Sequence, residues 1–126
     1  MRVYKLKAFA RFQRRERIVD KALSGAVRSA NDGLVDAELG GGLIKQRIAR
    51  PGQGRSGGYR VVIAFRSGDR AVFLFGFAKS EQANLDDDEL AYWKQVGRMY
   101  LRLDDDEVDA AIASNALVEV NYDDQD

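Results

Sequence analysis

The sequence predicts an α+β fold, with an N-terminal strand and two helices, or one bent helix, packed on a small antiparallel sheet and followed by C-terminal helices. Two observations carry this. Residues 43–78 hold three strand-like runs separated by glycine-bearing turns, whereas the flanking segments repeat their apolar residues at intervals of three and four. The 126 residues, 45% hydrophobic and 32% charged, suit one domain with one modest core.

The elements follow in order. "RVYKLK", Arg2 to Lys7, alternates loosely and reads as a short strand. From Ala8 to Ala30 the apolar residues Phe9, Phe12, Val19, Leu23, Ala26, Val27 and Ala30 share a helical face, opposite Arg11, Arg14, Arg15, Arg17, Lys21 and Arg28. Asp20 is a candidate cap for a second helix, and "NDG" at Asn31 to Gly33 ends the pattern. "LVDAELGGG" reads as a loop. An antiparallel meander then runs through Leu43 to Arg50, Tyr59 to Arg66 and Ala71 to Ala78, joined by the long "PGQGRSGG" and the tight "SGD". "AVFLFGFA" is apolar on both faces, as a central strand requires, with Phe73, Phe75 and Phe77 expected on one face, in the core.

After Lys79, Leu90, Trp93, Val96, Gly97, Tyr100 and Leu101 mark one face of a helix opened by Asp86 to Asp88. A second acidic cluster, Asp104 to Glu107, opens a shorter helix, and "ALVEV" follows as a short strand or clasp, with Ile112, Leu117 and Val118 expected to pack inward. We divide the chain into a main domain, residues 1–103, and an acidic extension, 104–126, that packs on it or trails from it.

Composition narrows the chemistry. Without cysteine or histidine there is no disulfide, thiolate or imidazole. No apolar run approaches the roughly 20 residues of a spanning helix, and the N-terminus lacks the pattern of a secretory signal, so a cytoplasmic location is expected. The acid clusters lack calcium-loop spacing, and no metal is expected. The formal charge of zero conceals an asymmetry: residues 1–80 carry 17 Lys/Arg against 6 Asp/Glu, and residues 81–126 carry 3 against 14. Either the basic part meets a polyanion or the two parts pair with each other.

The cations concentrate around the first hairpin, where Lys45, Arg47, Arg50, Arg55, Arg60 and Arg66 fall within twenty-two residues that contain no carboxylate. Alternation puts Lys45 and Arg47 on the face opposite Ile44 and Ile48, and Arg60 on one face with Arg66. Such a surface suits a phosphate chain, and its cations suit the extra charge of a phosphorane transition state. Tyr59 could stack on a base, and an RNA 2′-hydroxyl would supply the nucleophile, with a lysine among arginines as candidate base. The plain alternative is a solvated basic edge that discourages aggregation.

The order of elements, with "KQR" on the first meander strand, "SGGYRVVIAF" on the second and "FGFAKSEQANL" closing the third, resembles the RelE/HigB-like toxins of bacterial type II toxin–antitoxin systems over roughly residues 1–95. "GGGL", "ARPGQG" and "FAKSE" are similar to the HigB-like subgroup. The resemblance implies a ribosome-dependent, metal-independent mRNA endonuclease that needs no cofactor, held by an antitoxin with a helix-turn-helix DNA-binding part; a homodimer is left open. It assigns base or phosphate-binding roles to Lys45 and Arg47, transition-state stabilisation to Arg60 and a basic contact to Lys79; the charge pattern of the hairpin adds Arg50, Arg55, Tyr59 and Arg66 as candidate RNA contacts. Where some RelE relatives carry an arginine and a tyrosine, this chain has Ser80 and Asp86. Two alternatives remain: a catalytically inactive RNA- or protein-binding module, and a ParE-like gyrase inhibitor. The acidic extension could shield the basic face or simply form a solvated helix.

Overall fold

The computed structural model describes residues 1–50, 54–82 and 84–122, and for 54–56 the backbone alone. The elements run β1 (Arg2–Leu6), α1 (Lys7–Arg15), α2 (Asp20–Asn31), β2 (Ala37–Gly40), β3 (Leu43–Arg50), β4 (Gly54–Arg66), β5 (Arg70–Ala78), α3 (Asp87–Arg102), α4 (Asp105–Ala113) and β6 (Leu117–Val120). They form one six-stranded sheet in the order β2-β3-β4-β5-β1-β6. Every neighbouring pair is antiparallel except β1 and β5, which run parallel. The helical segment between β1 and the meander supplies the long crossover that a parallel pair requires.

Two cores lie on the two faces. Val3, Phe9, Phe12, Leu23, Val27, Val61, Ile63 and Phe73 join α1 and α2 to one face. Tyr4, Leu43, Val62, Ala64, Val72 and Leu74 meet Leu90, Trp93, Val96, Tyr100 and Leu101 of α3 and Val108 of α4 on the other. Burying apolar surface on both faces explains why β4 and β5 lack polar alternation in their centres.

The long helical pattern breaks into two helices because the chain turns between them, with Arg17 at φ 58°. Asp20 does not cap α2. It is the first helical residue, and its Oδ1 accepts from Lys5 Nζ at 3.1 Å and Gln13 Nε2 at 2.7 Å, joining β1, α1 and α2. Lys5 Nζ also donates to Gln13 Oε1 at 2.6 Å. Burial pushes the Asp20 carboxyl upward, but hydrogen bonds from Gln13 and Lys5 together with the Lys5 charge outweigh it and hold it below the ordinary aspartate value. A lowered folded-state value means stability that is present above the unfolded value, about 4, and is lost as pH falls through the folded one. Asp20→Asn is therefore expected to lower stability by about 1 kcal/mol at neutral pH, a figure discounted for the half-exposed carboxylate. In urea melts between pH 7 and 3, the gap to wild type should close below pH 4; a constant gap would refute this account.

Three further expectations are corrected. "LVDAELGGG" contains a strand, because Gly40, Gly41 and Gly42 adopt φ of 83°, 62° and 83° and turn β2 back along β3. Phe73, Phe75 and Phe77 do not share a face. The β4–β5 register shifts between Val62 and Ile63, and this bulge sends Phe73 toward α1 while Phe75 faces α3 and stacks on Trp93, ring centroids 5.4 Å apart. Val118 points to solvent, and Val108 and Leu117 supply the buried packing of the C-terminal segment.

That C-terminal segment belongs to the sheet, since β6 pairs with β1 from Val3↔Val120 to Leu6↔Leu117. This places it at the far side of the sheet from β3, away from the basic hairpin. Capping boxes begin both acidic helices, Asp86 with Glu89 and Asp104 with Glu107, so these carboxylates satisfy free backbone N–H groups. Arg70 locks the other end of α3, its Nη1 donating to the carbonyls of Tyr100 at 2.9 Å and Leu103 at 2.8 Å.

Candidate nucleic-acid interface

The β3–β4 ladder pairs Arg47 with Arg60 and Lys45 with Val62. Because directly paired residues project to the same side, Lys45, Arg47 and Arg60 share the face that carries α3 farther down the strands. Phe77 is the neighbour of Arg60 on β5. Gly97 lets α3 approach closely, since a Cβ there would lie 2.7 Å from Leu43 and 3.2 Å from Ala64.

Each cation has a distinct setting. Lys45 is half-buried, and its Nζ donates to Asn84 Oδ1 at 2.8 Å, which ties β3 to the segment preceding α3. Arg47 is exposed; its backbone N–H donates to Asp36 Oδ2 at 2.6 Å, and its Nε lies 3.8 Å from Asp36 Oδ1. Asp36 is itself held, because its N–H donates to Gln46 Oε1 while the buried Gln46 Nε2 donates to the carbonyls of Ala26 and Leu34. Arg60 is only 7% exposed, and its Nη1 donates to the Tyr59 carbonyl at 3.3 Å. A guanidinium so enclosed loses rotamer freedom before it meets any ligand, which favours a directed contact over a diffuse one.

The glycine two residues before Arg60 has a steric reason. A Cβ at Gly58 would sit 2.4 Å from the Ile48 carbonyl oxygen, where the β3–β4 register shifts between Ile48 and Arg50. Only glycine permits that approach. The Gly58 carbonyl accepts from the Lys79 N–H at 3.1 Å, which brings the exposed Lys79 to the same end of the sheet.

Other candidates lie elsewhere. Tyr59 is 2% exposed and belongs to the opposite core, its ring edge-on to Phe12 and its hydroxyl donating to the Glu16 carbonyl at 3.4 Å. Base stacking does not fit that position. Burial, followed by the contact with Glu16, raises its hydroxyl above the ordinary tyrosine value, so it stays a neutral phenol near pH 7. Arg50 lies over the Tyr59 ring at 5.7 Å and borders the hairpin end. Arg66 is six residues along β4 from Arg60, roughly 20 Å at about 3.3 Å per residue, and is ion-paired with Asp69. It does not join the cluster. The side chain of Arg55, with Pro51 to Gln53 of the connecting loop, lies outside the described residues.

Sequence reasoning missed Asp36 and Asn84. Both reach the cations only through sheet pairing and loop placement; the available signals were the acidic stretch Asp32 to Glu38 before a basic strand for Asp36 and the place of Asn84 within "FGFAKSEQANL". Together the side chains can hold a phosphodiester between Lys45, Arg47 and Arg60 and neutralise charge that develops on its oxygens.

Among the described residues, no helix is long and apolar enough to cross a membrane. No curated protein matches the sequence significantly. The family model described as the RelE toxin of the RelE/RelB toxin–antitoxin system matches residues 1–120, which include α4 and β6 as well as the basic hairpin. Its match over nearly the whole chain makes this protein a member of the RelE toxin family.

Proposed function

We propose that this toxin is a HigB-like, ribosome-dependent mRNA endonuclease, neutralised by an antitoxin with a helix-turn-helix part. The observation that carries the reading is the Arg47↔Arg60 pairing with Lys45 on the same face and Lys79 at the same end of the sheet. In the proposed reaction the RNA 2′-oxygen bonds to the adjacent phosphorus and the bond to the 5′-oxygen breaks, leaving a 2′,3′-cyclic phosphate and a 5′-hydroxyl. Arg60 and Arg47 neutralise the phosphorane oxygens, while the amines of Lys45 and Lys79 are the candidates for proton transfer. The enclosure of Arg60 supports a transition-state role, because a preorganised cation needs little rearrangement as charge develops.

The test is inducible expression of the chain alone, followed by mapping of RNA ends in translated messages. Growth arrest accompanied by new 5′-hydroxyl ends inside reading frames is expected. Arrest without such ends would reject the endonuclease reading and direct attention to gyrase, where a DNA supercoiling assay distinguishes a ParE-like activity. No arrest would favour an inactive binding module.

A further inference from the structure

The ladder between β1 and β5 ends at Lys5↔Phe73, because the chain leaves the sheet at Leu6 to begin α1. Among the described residues, β5 from Leu74 to Ala78 therefore has a strand neighbour, β4, on one side only. Where β1 would have continued there is a cleft of about 360 Å³, with Leu74 to Gly76 as its floor, α1 as one wall and Trp93 of α3 as the other. Phe75 and Gly76 are the only described residues of the otherwise buried β5 that are partly exposed. The α1 wall contributes Phe12 and two exposed cations, Arg11 and Arg15, and among the described residues none that line the cleft is acidic. Arg15 already meets Glu16, so a carboxylate is a partner it accepts.

We propose that this cleft is a docking groove for an extended acidic and apolar segment of the antitoxin, which adds to β5 as a strand in the place that β1 vacates. The inference rests on the reading of the chain as a toxin paired with an antitoxin, and it is independent of whether the chain cuts mRNA. An open strand edge offers N–H and C=O groups that a peptide backbone matches residue for residue and a nucleotide does not. Alternate side chains of such a segment would turn toward Phe12 on one side and toward Phe75 and Trp93 on the other. Its carboxylates would meet Arg11 and Arg15 at the rim, steering encounter and fixing register.

The test measures binding of the purified full-length toxin to the purified antitoxin encoded with it. Arg11→Glu/Arg15→Glu is expected to weaken binding about tenfold or more, as charge reversal at a complementary rim does, while Arg98→Glu on the exposed side of α3 leaves it unchanged. Amides of residues 74–78 should exchange more slowly in the wild-type complex than in the free toxin, a readout that needs no variant to fold. Unchanged affinity in the double variant together with unchanged exchange at 74–78 would overturn the proposal. So would lost ribosome association with antitoxin affinity intact, since the groove would then serve RNA. Message cleavage by free wild-type toxin, scored separately, tests the endonuclease reading and leaves this result unaffected.

Discussion

Arg60→Ala is expected to abolish growth arrest and to lower message cleavage by about 100-fold or more, the usual cost of removing one preorganised transition-state donor. The guanidinium is nearly enclosed, lies directly across the ladder from Arg47 and is anchored at the Tyr59 carbonyl. Lysine retains the charge but loses the planar fork, so Arg60→Lys should recover only a minor part of the activity. Because the position is buried, thermal melts must accompany the assay. If Arg60→Lys melts with wild type and also cleaves like wild type, the geometry of the guanidinium is irrelevant and the proposed role fails. If Arg60→Ala retains full cleavage, Arg60 is not part of the chemistry at all.

The second large effect is on stability. Glycine ordinarily weakens a strand, so propensity alone says that Gly76→Ala in β5 should be neutral or helpful. The packing reverses that sign. A Cβ at Gly76 would lie 2.4 Å from Phe12 Cε2 and 2.8 Å from Cδ2. Phe12 cannot simply swing aside, since its ring is buried between Phe9, at 5.7 Å, and Tyr59, at 5.8 Å. We expect Gly76→Ala to cost roughly 2 kcal/mol, the middle of the range for overpacking a filled core. For a chain of this length that lowers the melting temperature by about 5 to 10 °C. Combining it with Phe12→Leu should cost less than the two single changes added together, because the smaller side chain relieves the clash. Strict additivity in that double-mutant cycle would show that Gly76 and Phe12 do not compete for the same space.

Both predictions concern residues whose type is visible in the sequence and whose importance is not. Arg60 stands in a recognisable "GGYR", but its enclosure and its pairing with Arg47 come from the register of β3 on β4. Gly58 in the same motif reads as a loop glycine, and only the carbonyl of Ile48 explains it. Gly76 looks like an interruption in an apolar strand until Phe12, sixty-four residues earlier, is laid across it.

Local periodicity determined a good deal. Alternation separated Lys45 and Arg47 from Ile44 and Ile48, helical spacing found the face of α3 that packs on the sheet, and acid clusters located the starts of both C-terminal helices. These depend on neighbours in the chain, and a sequence displays neighbours directly. Tertiary structure alone decided the rest. The bulge opposite Val62 and Ile63 divided the phenylalanines of β5 between two cores, the α1 core claimed Tyr59, the length of β4 carried Arg66 out of reach, and pairing with β1 drew β6 into the sheet. Asp36 and Asn84 reached the basic residues in the same way. Each outcome turns on a contact between segments distant in sequence, where one residue of register exchanges the faces of a strand, and local patterns do not encode that choice.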